Sequence, residues 1–159
     1  MTSRWREPVN IVGRVLPRHG HRGQPLDSVA RPMKLEPYVL VDSMPFSTSR
    51  AHIVEQRGRP LKELRNGVGL NELDYGAVVY RFQDSGRLEE VSMRAPVVYI
   101  GNVDVPFAGL EAFVRAEDEA AFERAGFIVS PKFGLAFDPN CPTWVTALAA
   151  HCIETWRAI

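Results

Sequence analysis

Cysteine is scarce in this sequence. Two thiols, Cys141 and Cys152, among 159 residues cannot form a disulfide framework, and no CxxC or paired Cys/His spacing accompanies them. Both read as reduced, and Cys152 reads as a small buried hydrophobe on the apolar face of a C-terminal helix. Long apolar runs are missing as well. Stretches such as Ala77 to Val79 and Val97 to Ile100 fall far short of the roughly 20 residues that span a bilayer. No apolar segment of about 7 to 15 residues follows the charged N-terminus, as a secretory signal requires. These absences lead to the expectation of a cytoplasmic chain with no membrane partner.

Chemical signatures are equally sparse. Gly67 and Gly69 lack the third glycine and the immediate helix of a dinucleotide fingerprint. The His19-Gly20-His21 pair has no third ligand near it in sequence. His52 and His151 lie in no nucleophile motif, and although His151 adjoins Cys152, adjacent helix positions are not expected to face one another. No catalytic residue, cofactor or metal site is expected.

Net charge is zero, from 19 basic and 19 acidic residues, but it is unevenly spread. Residues 1–32 hold six arginines against two acids, a net of +4, with four prolines and three glycines. This composition cannot bury enough surface to order itself. Residues 1–32 are therefore expected to be a flexible basic tail, with Ile11 to Leu16 as its likeliest strand. Met33 then opens MKLEPYVLVDS in the manner of a natural start, so the tail also reads as an upstream extension. The arginines lack interleaved aromatics beyond Trp5, and no nucleic-acid partner is expected.

Residues 33–159 are expected to form a single α+β domain, an antiparallel sheet packed against two or three helices. Tyr38 to Val41 reads as a strand. Ser47, Thr48 and Ser49 are suited to cap a helix over Arg50 to Arg57, which Gly58 and Pro60 stop. Leu73 to Phe82 reads as one strand with Leu88 to Met93 as its hairpin partner, and Val97 to Val103 as another. The spacing predicts a helix over Leu110 to Ala125 ended by Gly126. Strands follow at Phe127 to Val129 and Phe133 to Phe137. A last helix is predicted from about Thr143, with Val145, Leu148, Cys152, Trp156 and Ile159 on one stripe. Met44-Pro45-Phe46 and Val105-Pro106-Phe107 each precede a helix, a glycine and two strands, which points to a duplicated α-β-β unit.

The run PFSTSRAHIVEQRGRP, Pro45 to Pro60, resembles a PFG-S-R-x-x-V-x-x-x-x-G-x-P pattern. That pattern occurs in small helix-plus-hairpin proteins: the SmpA/OmlA-type outer-membrane assembly lipoproteins, the β-lactamase inhibitory proteins, and bacterial immunity proteins encoded beside polymorphic or secretion-system toxins. The resemblance covers residues 44–93 fairly well and 105–137 loosely. Ser47 stands where the pattern has glycine, and the lack of a lipobox cysteine turns the resemblance from the lipoproteins toward the immunity proteins. It implies a cytoplasmic protein that binds a cognate toxin or effector and occludes its active site.

A neutralising protein needs a complementary surface and no chemistry of its own. The residues expected to form it are Asp74, Tyr75, Asp84, Glu89 and Glu90 on or beside the central hairpin, with Glu111, Glu117, Asp118, Glu119 and Glu123 along the second helix. The plainer reading of these acids is a solvated face, and Tyr75 anchors a partner only if exposed. Two other functions fit the same residues. A small enzyme would use a carboxylate pair such as Glu89 with Glu90, or Asp74 with Tyr75, although adjacent acids on a strand point to opposite faces. A housekeeping interaction module would bury the acidic helix in a homodimer. Monomer and homodimer are both compatible with the sequence.

Overall fold

A computed structural model describes residues 30–159. The segment Ile11 to Leu16 and the His19/His21 pair lie outside the described residues, as does all of the expected tail up to residue 29. The remaining chain is predominantly β, with thirteen strands and three helices among the described residues. The expected α+β arrangement, with a sheet resting on two or three substantial helices, is therefore corrected: the helices are 8, 11 and 6 residues long, and the two sheets pack largely on each other.

The five-stranded sheet begins with β1 (Met33–Glu36), where Met33 and Leu35 point inward and alternate with exposed Lys34 and Glu36. Strand β2 (Leu40–Val41) returns antiparallel and β3 (Met44–Pro45) follows it. Tyr38, expected in a strand, is instead in the β1–β2 turn with φ +66°. Asp42 and Ser43, at φ +47° and +68°, are the two left-handed positions of the tight β2–β3 hairpin. Strands β8 (Val97–Ile100) and β9 (Val103–Pro106) complete this sheet in the order β3-β2-β1-β8-β9, with β1 parallel to β8. The strand expected to run on to Val103 turns at Gly101, where φ is +62°.

Helix α1 (Arg50–Arg57) forms where its signals place it. Ser49 Oγ accepts the His52 N–H at 3.1 Å, and Gly58, at φ +79°, donates its N–H to Val54. Four strands then run antiparallel: β4 (Lys62–Arg65), β5 (Asn71–Asp74), β6 (Val78–Phe82) and β7 (Leu88–Arg94). The single strand expected over Leu73 to Phe82 is thus two. The turn between them is fixed by Asp74 Oδ1, which accepts the Gly76 N–H at 2.7 Å, with Gly76 at φ +91°.

Helix α2 (Phe107–Glu117) starts earlier and ends earlier than its apolar spacing predicts. Asp118 stops it: its carboxylate accepts the N–H groups of Ala120 and Lys132 and the hydroxyl of Ser130, which draws the chain into a turn. Residues expected to continue the helix instead form β10 (Phe122–Arg124), paired with β11 (Phe127–Ser130) across the left-handed pair Ala125 and Gly126. Strands β12 (Leu135–Phe137) and β13 (Trp144–Leu148) follow antiparallel. The helix expected from Thr143 is replaced by β13, and only α3 (Cys152–Arg157) is helical. All five β13 residues are buried, so both faces are covered and no alternation of buried with exposed positions could distinguish strand from helix.

Each of the first two helices thus precedes a four-stranded meander rather than the expected α-β-β unit. The meanders join edge to edge through β13 and β7 into one sheet, ordered β10-β11-β12-β13-β7-β6-β5-β4. The main core draws Leu35 and Val98 from one sheet, Tyr80, Val91 and Val145 from the other, and Ile53, Leu110 and Val114 from the helices. A second cluster lies on the opposite face of β11 to β13, where Phe127, Val129, Trp144 and Leu148 meet Ile153 and Trp156 of α3. Tyr38 links the sheets through its hydroxyl, which donates to the Pro131 carbonyl. Its ring packs on Gly134, where a Cβ would stand 2.8 Å from a ring carbon, so only glycine fits there.

Candidate partner-binding surface

The expected binding residues separate by burial. Glu89, Glu90, Tyr75 and Asp118 are buried and offer a partner no surface. Tyr75 directs its hydroxyl to the Gly58 carbonyl at 2.8 Å and stacks edge-on against Tyr80. Asp118 is committed to the turn after α2. Asp74 is half-buried in the β5–β6 turn, where desolvation pushes its carboxyl above the usual value despite the Gly76 bond. Of the acids near α2, Glu111 and Glu123 both pair with Arg115, at 3.8 and 2.6 Å. Glu117 and Glu119 remain exposed.

Glu89 and Glu90 do not form a carboxylate pair, because each is engaged by its own partners. Glu90 belongs to a buried polar layer on the face of β5, β6, β7 and β13 away from the main core. At its centre is Arg81, with no exposed surface. Its Nε donates to Glu72 at 3.0 Å and its Nη1 to Ser92 at 2.6 Å, with the Glu90 carboxylate 3.5 Å away. Ser92 and Thr146 hydroxyls meet at 2.7 Å. A buried charge requires such pairing, so these residues hold the sheet together. The sequence signal was Arg81 between Tyr80 and Phe82, a charge set among the apolar residues of a strand.

Glu89 owes its position to a bulge. Arg81 pairs with Glu90 and Phe82 with Leu88, which leaves Glu89 as the extra residue of β7. Its carboxylate meets His151 Nε2, Cys152 Sγ at 2.9 Å and Arg87 Nε at 3.3 Å. The expectation that His151 and Cys152 do not face a common point is corrected here. His151 is the N-cap of α3 and Cys152 its first residue, where the Cys152 N–H to Ala149 carbonyl turn brings both side chains to Glu89.

Among the exposed positions, sequence reasoning missed the outer edge of the large sheet. Strand β4 ends that sheet and all four of its residues are exposed. Leu61 and Leu64 are 54% and 44% exposed, which is a high exposure for large aliphatic side chains. The neighbouring charges are engaged: Arg50 pairs with Glu63, and Arg65 with Asp84. Arg65 and Asn71 hold the Asp84 carboxyl below its usual value. Beside the strand is a recess of about 400 Å³ that Leu64, Glu63, Arg50 and Asp84 help to line. Asp84 is the one expected binding residue that the structure sets on this surface. The available signal was Leu61 and Leu64 flanking Lys62 and Glu63, an amphipathic pattern too short to read with confidence as strand.

No helix of the described residues is long and apolar enough to cross a membrane. No family model matches the chain, and neither a curated protein nor a solved structure matches it.

Proposed function

We propose that this chain is an immunity-type binding protein that neutralises a cognate toxin or effector in the cytoplasm by covering its active site, without chemistry of its own. The observation that carries this reading is the open β4 edge, with Leu61 and Leu64 exposed and Leu64 lining the Asp84 recess. An extended segment of the partner adds along β4 through main-chain hydrogen bonds, and the two leucines supply apolar contact. The Arg50–Glu63 and Arg65–Asp84 pairs at the margin fix orientation and exclude partners of unmatched charge. The two free thiols, Cys141 and Cys152, agree with a reducing compartment.

The test uses the full chain, tagged, as bait in cells of its own organism. Support requires a captured protein that arrests growth when expressed alone and is relieved by co-expression of this chain. Leu64→Lys should then abolish both capture and relief while circular dichroism and thermal midpoint stay at wild-type values. Relief that survives Leu64→Lys and Leu61→Lys together would remove β4 as the docking edge, and a partner without toxicity would overturn the immunity reading.

A further inference from the structure

Three side chains of different chemistry converge on the bulge in β7. One ligand atom from each of Glu89, His151 and Cys152 lies within 4.8 Å of the other two, and His151 Nε2 and Cys152 Sγ both meet Glu89 Oε2. Imidazole nitrogen, thiolate sulfur and carboxylate oxygen are the ligand types of zinc, which binds them at about 2.0–2.3 Å in a tetrahedron. Three donors this close need only small side-chain movements to reach a common ion.

The surroundings are built as a metal site requires. Arg87 Nε holds the other carboxylate oxygen, Oε1, at 3.3 Å, leaving Oε2 as a single-atom ligand whose direction is fixed from behind. The Glu89 carbonyl accepts the Ala149 N–H at 2.9 Å, which locks the backbone that carries His151 and Cys152 against the bulge. Glu89 and Cys152 are buried, whereas the His151 side chain is 34% exposed. The exposed side of His151 therefore gives an ion a path in from solvent. Thiolate and carboxylate together neutralise a divalent charge.

We propose that Glu89, His151 and Cys152 bind one zinc-class divalent cation, with water as fourth ligand, and that the ion fastens the start of α3 to the β7 bulge. Zinc takes cysteine as the thiolate, so the Cys152 thiol proton passes to solvent as the metal–sulfur bond forms. The site is separate from the β4 edge and does not depend on how a partner docks.

The experiment is titration of the chelator-stripped full chain with zinc by calorimetry and with cobalt(II) by absorption. The expected result is one ion per chain, a thiolate-to-cobalt charge-transfer band with tetrahedral ligand-field bands, and a higher thermal midpoint with zinc. Arg87→Ala, which keeps all three ligands, should weaken binding by about ten- to a hundred-fold. Cys152→Ala should remove the charge-transfer band, and His151→Ala, at a half-exposed position that tolerates truncation, should weaken binding more than Arg87→Ala does. Absence of the band in the parent chain would overturn the proposal. So would binding that persists in His151→Ala and Cys152→Ala but disappears in His19→Ala/His21→Ala, which would assign the ion to the N-terminal histidine pair.

Discussion

The two meanders of the large sheet share a topology and differ in what covers their second face. In β10 to β13 that face is apolar and is closed by α3, with Trp156 packed on Phe127 at 5.5 Å between ring centroids. In β4 to β7 the corresponding face holds the Arg81 layer and ends in the exposed β4 edge. The difference teaches that one β scaffold can be completed by burial on one side and by charge pairing on the other. The half completed by charge is also the half whose edge strand, β4, is exposed at all four residues.

The largest expected effects test whether each half depends on its own kind of closure. Arg81→Ala leaves Glu72 and Glu90 facing one another without a cation and should cost about 3–5 kcal/mol in denaturant unfolding. Replacing the group with apolar residues, Glu72→Leu/Arg81→Met/Glu90→Leu, should recover most of that loss. In the other half, Trp156→Ala should cost a similar amount, about 3–5 kcal/mol, through the cavity it leaves. Trp156→Phe should cost clearly less, because it also removes an indole N–H that is buried without a hydrogen-bond partner. A triple variant as unstable as Arg81→Ala would show that the polar layer gives the sheet more than charge balance.

A smaller effect sharpens the contrast at the β5–β6 turn. Burial raises the Asp74 carboxyl in the folded state, so its ionised form opposes folding above the folded value, and the effect vanishes where both states are protonated. Asp74→Asn, which keeps an acceptor for the Gly76 N–H, should raise the thermal midpoint at neutral pH. The gain should be under about 1 kcal/mol because the group remains partly solvated, and it should close as pH falls below the carboxylate range.

Local signals in the sequence were legible where a single residue decides the outcome. Ser49 and Gly58 bounded α1, and the expected strand ends at Phe82 and Leu88 framed the β6–β7 turn. The pattern misled where burial is two-sided. Val145, Leu148, Cys152 and Trp156 lie at helical spacing, but the first two belong to a strand covered on both faces and the last two to the short helix that covers one of them. The end of α2 depended on Asp118 meeting Ser130 and Lys132, contacts that no local pattern encodes. The same holds for the candidate sites. Glu89 could be named as an acid of interest, but its meeting with His151 needs a register shift in one hairpin and a turn 62 residues away.

The β7·β13 seam also bears on how quickly the chain reaches its native state. Within each meander every strand pairs with its sequence neighbour, so those ladders close short loops. The seam brings together residues such as Ser92 and Thr146, 54 positions apart along the chain. Loop-closure entropy makes such pairing slow relative to hairpin formation. Refolding should therefore be limited by the union of two preformed halves, and β13 is the last strand of the large sheet to leave a ribosome.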